Sequence, residues 1–374
     1  MNILKKEKSG HRERWFRVIT TGRIRYVFTS SNTSRGFQTF IPELLEGLKK
    51  VYVLKGPAGS GKSTFMRLLG ESLFSKGYEV EFWMSALDPV NFEGVYIPQL
   101  EVALVNGSLP QPIDPKYPGV VGEIIYFGEY WDKKTVSARG REIVDLVHKI
   151  EEKSSKAYNI LRNVCEIKEN IKKVTSEYLN IGKIQNLIED LTGKIIEGQS
   201  GEKHYFADAV TPDGAINYIE EISRDCRKRY IFKGPPGSGK STVINEIARR
   251  AREKGYFLEY YHCGLDSESI SMVIIRNLQM ALIDAGNIEL AINPWDIIID
   301  LTTCLDDYDE DLIKTKTSSS CRIYESLMLE AQEELKNIHQ DLKELKKIYS
   351  GAMDFEFLDQ KREEIIGEII ALDK

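Results

Sequence analysis

The stretch Gly56-Pro57-Ala58-Gly59-Ser60-Gly61-Lys62-Ser63-Thr64 is where residue types and spacing in this chain most directly imply chemistry. It recurs as Gly234-Pro235-Pro236-Gly237-Ser238-Gly239-Lys240-Ser241-Thr242. Both copies fit G-x-x-x-x-G-K-[ST], the pattern of a turn that binds phosphate through its backbone. Glycines let the chain wrap round an anion so that main-chain N–H groups point inward. The positive end of the following helix adds to the attraction. Gly56, Gly59 and Gly61 would do this in the first copy, with Ala58, Ser60 and Thr64 completing the binding stretch. Gly234, Gly237 and Gly239 would do it in the second, with Pro236, Ser238 and Thr242. Lys62 and Lys240 are expected to reach the β- and γ-phosphates of a nucleotide, and Ser63 and Ser241 to offer a hydroxyl to Mg²⁺.

A magnesium site also calls for a carboxylate at the end of a neighbouring strand. The run Met280-Ala281-Leu282-Ile283 ends at Asp284, whereas the matching run Val102 to Val105 ends at Asn106, a neutral and poorer partner for a hard cation. Asp284 is therefore the expected metal-side carboxylate, with Ile297-Ile298-Ile299-Asp300 a lesser rival and a strand-end turn the plain alternative. Asp88 and Asp266 follow the second strand of each half, where ligands bind in such sheets. They are candidates for holding the metal, orienting a water, binding a second substrate or capping a helix. His262 is a candidate base contact or a surface histidine, and Lys55 and Lys233 plain strand ends.

The elements that position these residues are read from a repeat. Adding 178 to Lys62 gives Lys240, and the same shift carries Phe28 to Phe206, Gly36 to Gly214, Asp88 to Asp266 and Leu104 to Leu282. A whole module is therefore repeated. In each, a short apolar strand leads through a turn (Thr33 to Gly36, or Thr211 to Gly214) to a capped helix. Then come a strand (Val51 to Leu54, or Tyr230 to Phe232), the glycine turn, a helix, a second strand at Val80 or Phe257, and the third apolar run. Strands alternating with helices imply a parallel layered α/β core. From about Arg141, and again around Leu327, apolar residues recur at threes and fours between Glu and Lys. This predicts long amphipathic helices that break near Asn180-Ile181-Gly182 and Ser350-Gly351 and return as antiparallel hairpins. Gly193-Lys194-Ile195-Ile196 matches Gly367-Glu368-Ile369-Ile370 at an offset of 174.

The 374 residues suit two domains with linking helices. A formal net charge of -6 argues against a dedicated nucleic-acid binder, and the basic clusters at Arg224 to Arg229 and Arg249 to Arg252 read as solvated helix ends. Five scattered cysteines without C-x-x-C spacing suggest reduced thiols. There is neither a leader-like start nor a stretch near the ~20 apolar residues of a membrane span. A cytoplasmic protein is expected. No N-K-x-D box for guanine and no L-S-G-G-Q stretch is present, so adenine is the better match.

With its paired G-P-x-G-S-G-K-S-T turns, Leu87-Asp88 and Leu265-Asp266, the run Ile97 to Ser108, Asp114 to Gly119 and Phe127 to Asp132, the chain resembles a family of bacterial tandem P-loop proteins. These are of about this length and are described only as ATP-binding proteins or ATPases. The resemblance covers most of the chain and implies nucleotide handling without naming a substrate. Its pattern has Asp where this chain has Asn106.

The expectation is two duplicated P-loop NTPase cores with parallel sheets, each followed by a long antiparallel helical hairpin. The cores would span 1–135 and 201–317, the hairpins 136–200 and 318–374. ATP and Mg²⁺ are the expected cofactors, and hydrolysis the expected activity, with Lys62, Lys240 and Asp266 as catalytic residues and the second module the more competent. A nucleotide or small-molecule kinase, with Leu109 to Tyr117 as a flap, is one alternative. A nucleotide-dependent scaffold with little turnover is another. The helical seams pack internally or meet a protein partner or a second copy.

Overall fold

A computed structural model describes residues 3–7, 14–18, 22–192, 201–286, 288 and 290–373. An antiparallel pair, β1 (Ile3–Glu7) and β2 (Arg14–Val18), opens the chain. There follow β3 (Ile24–Phe28), the hairpin β4 (Ser30–Thr33) and β5 (Gly36–Thr39), α1 (Ile41–Leu44), β6 (Lys50–Lys55) and α2 (Lys62–Ser75). Next are β7 (Val80–Met84), β8 (Phe92–Ile97), β9 (Val102–Asn106), β10 (Gly122–Tyr126), α3 (Lys133–Ala138), α4 (Gly140–Ser176) and α5 (Ile181–Thr192). The second half repeats the order with β11 (Gly201–Phe206), β12 (Asp208–Thr211), β13 (Gly214–Asn217), α6 (Ile219–Ser223), β14 (Lys228–Lys233) and α7 (Lys240–Glu253). It ends with β15 (Phe257–His262), β16 (Ile270–Ile275), β17 (Met280–Asp284), β18 (Ile297–Asp300), α8 (Glu310–Ser350) and α9 (Phe355–Ala371).

Twelve of these strands form one mixed sheet, ordered β10-β6-β9-β8-β7-β3-β11-β15-β16-β17-β14-β18. Read from the centre outward, the two halves list equivalent strands in the same order. The central bridge is antiparallel and joins Phe28 to Phe206, residues one repeat apart. Antiparallel pairing of equivalent residues places a pseudo-twofold axis between them. The buried network at the axis is correspondingly shared. Arg25 reaches Glu81 at 2.9 Å and Glu259, its equivalent, at 2.8 Å. Asn32 Nδ2 donates across to the Val210 carbonyl at 2.7 Å.

Three sequence expectations change here. The sheet is continuous and mixed, because β8 and β16 run antiparallel to both neighbours. Only a short turn, residues 85–91, joins β7 to β8, and a parallel return would need a longer crossover. The turn at Thr33 to Gly36 closes the β4–β5 hairpin, with Thr33 Oγ1 accepting from Arg35 N at 3.0 Å. The long helices do not fold back as hairpins. α4 and α8 pair antiparallel, burying Ala157, Ile160, Leu161 and Val164 against Ala331, Leu335 and Ile338. Lys156–Glu334 at 2.6 Å and Lys153–Asp341 at 2.5 Å flank that seam.

Each short return helix then covers a core other than the one that precedes it. Ile184 and Ile188 of α5 join Val243, Ile244 and Ile247 of α7 in one apolar cluster. Leu358, Ile365, Ile366 and Ile369 of α9 join Phe65, Met66 and Leu69 of α2. The reason is reach: α4 has 37 residues, about 55 Å at 1.5 Å per residue, enough to carry the chain across the axis. The expected breaks fall between α4 and α5 and between α8 and α9. The expected boundary at 135/136 lies inside α3 and that at 317/318 inside α8. Gly193 to Ile196 lies outside the described residues. Among the described residues, no helix is long and apolar enough to cross a membrane.

Candidate functional site

β6 and β14 are interior strands, each one in from an edge of the sheet, with Val51 to Leu54, and Ile231 and Phe232, buried. Each runs into a glycine turn and then a helix whose first residue is the motif lysine. The two turns share one backbone conformation: Gly59 and Gly61 have φ +90 and +91, and Gly237 and Gly239 have φ +89 and +91. Gly59 and Gly237 are also needed for space. A Cβ on Gly59 would fall within 3 Å of the Lys346 backbone, and one on Gly237 would collide with the Lys172 carbonyl. Each turn is thus pressed against the end of a long helix, and further on against the return helix or the link before it: Phe355 and Leu358 over Gly61, Ile184 and Leu179 over Gly239.

Both motif lysines are buried and turned onto their own loop. Lys62 Nζ donates to the carbonyls of Gly56 at 2.5 Å and Pro57 at 2.8 Å. Lys240 Nζ donates to Gly234 at 2.8 Å and Pro235 at 3.0 Å. Loss of water, with Lys346 nearby, pushes the Lys62 ammonium down to about 7. Lys240 is lowered by the same burial. Asp284 opposes that shift, and Lys172 and Lys168 reinforce it.

The strand-end positions differ as the sequence implies. Asp284 lies in register with Phe232 at the end of β17, its carboxylate 3.8 Å from Lys240 Nζ. Burial raises its carboxyl, and the lysine works against that rise. Asn106 lies in register with Leu54, and its Oδ1 accepts from Ser108 N at 3.1 Å. Ser63 Oγ accepts from Phe92 N at 2.8 Å, and Ser241 is half-buried at the start of α7. The rival Asp300 caps the turn after the edge strand β18, accepting from Thr302 N at 2.9 Å. Lys55 Nζ donates to the Gly107 carbonyl at 2.9 Å, a strand-end contact.

The matched aspartates part company. Asp88 is buried and ion-paired with Lys346, and it accepts from Asn91 at 2.6 Å. Burial alone would raise this carboxyl, but Lys346 holds it below its ordinary value. Asp266 Oδ1 accepts from Glu268 N at 3.2 Å within its own turn. A cleft of about 370 Å³ brings together Gly59, Lys62, Asp88, Asn106, Lys346 and Phe355.

Two further expectations are corrected. His262 is buried rather than on the surface, 2.8 Å from His204 Nδ1 and against Phe40, and burial pushes it down to about 4. Arg229 is no solvated helix end: it lies in β14, buried and paired with Asp296. In the 109–117 segment Leu109 and Ile113 are buried, while most of the residues around them are exposed.

Sequence reasoning missed Lys346 and Lys172, which the opposite helices bring to the turns, and Asn91. The signal was present, since Lys172 and Lys346 are 174 apart, the helical offset. No family model, curated protein or solved structure matches the chain.

Proposed function

We propose that the chain is a tandem P-loop protein, two repeated nucleotide-binding cores, that binds ATP at both glycine turns and hydrolyses it with Mg²⁺ chiefly at the second. The observation that carries this reading is the meeting of Lys240 and Asp284 at the mouth of the second turn, where the first turn has Lys62 and Asn106. The donor set fits the metal: Ser241 and Asp284 offer hard oxygens to Mg²⁺ beside the phosphates. Asn106 and Asp284 each accept a hydrogen bond from the backbone N–H two residues on, so the difference is one of charge. Asn106 offers a neutral amide oxygen, a poorer partner for a hard cation, and Ser63 Oγ already accepts from Phe92 N, which suits binding better than hydrolysis. Bound Mg²⁺ would supply charge neutralisation at the phosphates. The chain's own groups do the rest. Loop N–H groups and Lys240 hold and stabilise the terminal phosphate. Asp266, in the turn beyond β15, orients the attacking water in this reading.

The buried anchors Leu109 and Ile113 weigh against a kinase whose lid is the 109–117 segment. Phosphate release measured with water alone, and with added acceptors, separates hydrolysis from transfer. Lys240→Ala is expected to remove most turnover, on the order of a hundredfold, and Lys62→Ala clearly less. Equal losses would sink the asymmetry, and no nucleotide binding by the unaltered protein would sink the reading.

A further inference from the structure

We propose that each phosphate turn is completed in trans, Lys346 of α8 serving the first turn and Lys172 of α4 the second as a further cation for the terminal phosphate. This rests on the nucleotide-binding reading above.

Position is the first argument. The Lys346 backbone seats on Gly59 and the Lys172 backbone on Gly237, so the two lysines hold equivalent places across the pseudo-twofold axis. Each comes from a helix attached to the half that does not carry the turn it meets. The two are paired in sequence at the helical offset of 174.

Chemistry is the second. The Lys346 side chain lines the same cleft as Lys62, Asp88 and Asn106. Its ammonium rests on Asp88, itself part of that cleft wall. Lys62 is meanwhile folded onto the carbonyls of Gly56 and Pro57. The cleft therefore carries two lysines whose present partners are one carboxylate, two loop carbonyls and the Ser60 hydroxyl. A triphosphate offers both cations stronger acceptors, since hydrogen bonds with both partners charged are the strong ones. Lys346 would exchange Asp88 for a phosphate oxygen, and Lys62 would swing off its own loop. At the second turn Lys172 is held by Glu169 at 2.5 Å, an exposed carboxylate easily left, and Lys168 stands nearby. The terminal phosphate carries the most negative charge of a bound triphosphate, so a second ammonium in the cleft gains most there. The consequence is discrimination of triphosphate from diphosphate by a residue of the other half.

The test uses the full chain with Lys240→Ala, so that only the first turn is read. Affinities for ATP and ADP are measured by calorimetry with and without Lys346→Ala, and with Lys346→Arg as charge rescue. The expected result is a loss of about tenfold for ATP, with ADP changed much less and Arg restoring most of the difference. Thermal unfolding of each variant reports folding, and Lys346→Gln replaces Lys346→Ala if the latter melts. An unchanged ATP-to-ADP ratio, or no rescue by Arg, overturns the proposal while leaving nucleotide binding intact. Failure of the Lys240→Ala parent to bind either nucleotide overturns the nucleotide reading at this turn and takes the proposal with it.

Discussion

At the scale of single residues, the turns differ in what faces the lysine. Lys62 has lost most of its water and stands near a second lysine, so its ammonium sits at about 7 in place of the ordinary 10.5. Between those two values the unfolded chain holds more protons than the native one, so this group's contribution to stability rises with pH across the window. Below about 7 the ammonium is charged in both states, and the full cost of burying it remains. Phosphate would restore the charge. Calorimetry at pH ~8.5 in buffers of different ionisation heat should therefore show proton uptake on ATP binding, reduced by up to one proton in Lys62→Met. Equal uptake in both proteins would mean that Lys62 does not meet the phosphate. His262 shows the limits of residue type: a histidine at the end of the second strand reads as a base contact or a surface residue, yet its ring lies buried between His204 and Phe40.

At the scale of elements, α9 matters more than its place at the chain end suggests. Ile365 and Ile369 are fully buried against α2, the helix that begins at the first turn. Ile365→Ala removes apolar contact and leaves a cavity, so a loss of ~2–5 kcal/mol is expected in denaturant unfolding. The exposed Leu372 on the same segment serves as the control, with an expected change within ~0.5 kcal/mol. A small effect at Ile365 would mean that α9 is loosely docked. The long helices carry apolar seams of the type that serves oligomerisation elsewhere, but here α4 and α8 fill each other's seam.

At the scale of the whole molecule, the two halves are interlocked. They share one sheet through β3 and β11, one buried network round Arg25, and one pair of crossing helices. Glu259 in that network is held at about 2: burial would raise it, but Arg25 and Arg276 bring it down. The chain should therefore behave as one cooperative unit. Residues 1–196 expressed alone would lack α9 over α2 and α8 along α4, and are expected to be unstable. Co-expression with 197–374 should return a soluble complex that binds nucleotide. Two independently stable halves, seen by size exclusion and thermal unfolding, would overturn this.

Much of the design was legible in the chain. The glycine turns, the strands before them, the helices after them and the breaks between α4 and α5 and between α8 and α9 follow from local rules. Such rules concern glycine spacing, apolar period and turn residues within a few positions of one another. The repeat offset placed Asp284 opposite Asn106, and the strand registers agree. What the sequence alone left open depends on partners far along the chain. The β8 strand follows a turn whose residues also read as a loop. The joining of two sheets at Phe28 and Phe206 rests on one bridge between distant residues. The seam on α4 is equally apolar whether it meets α5 or α8, and only the span of a 37-residue helix decides for α8. Hence the tertiary structure, and not the motif, determines that Lys346 stands over Gly59 and Lys172 over Gly237: periodicity fixes which face a helix buries, and packing fixes what it is buried against.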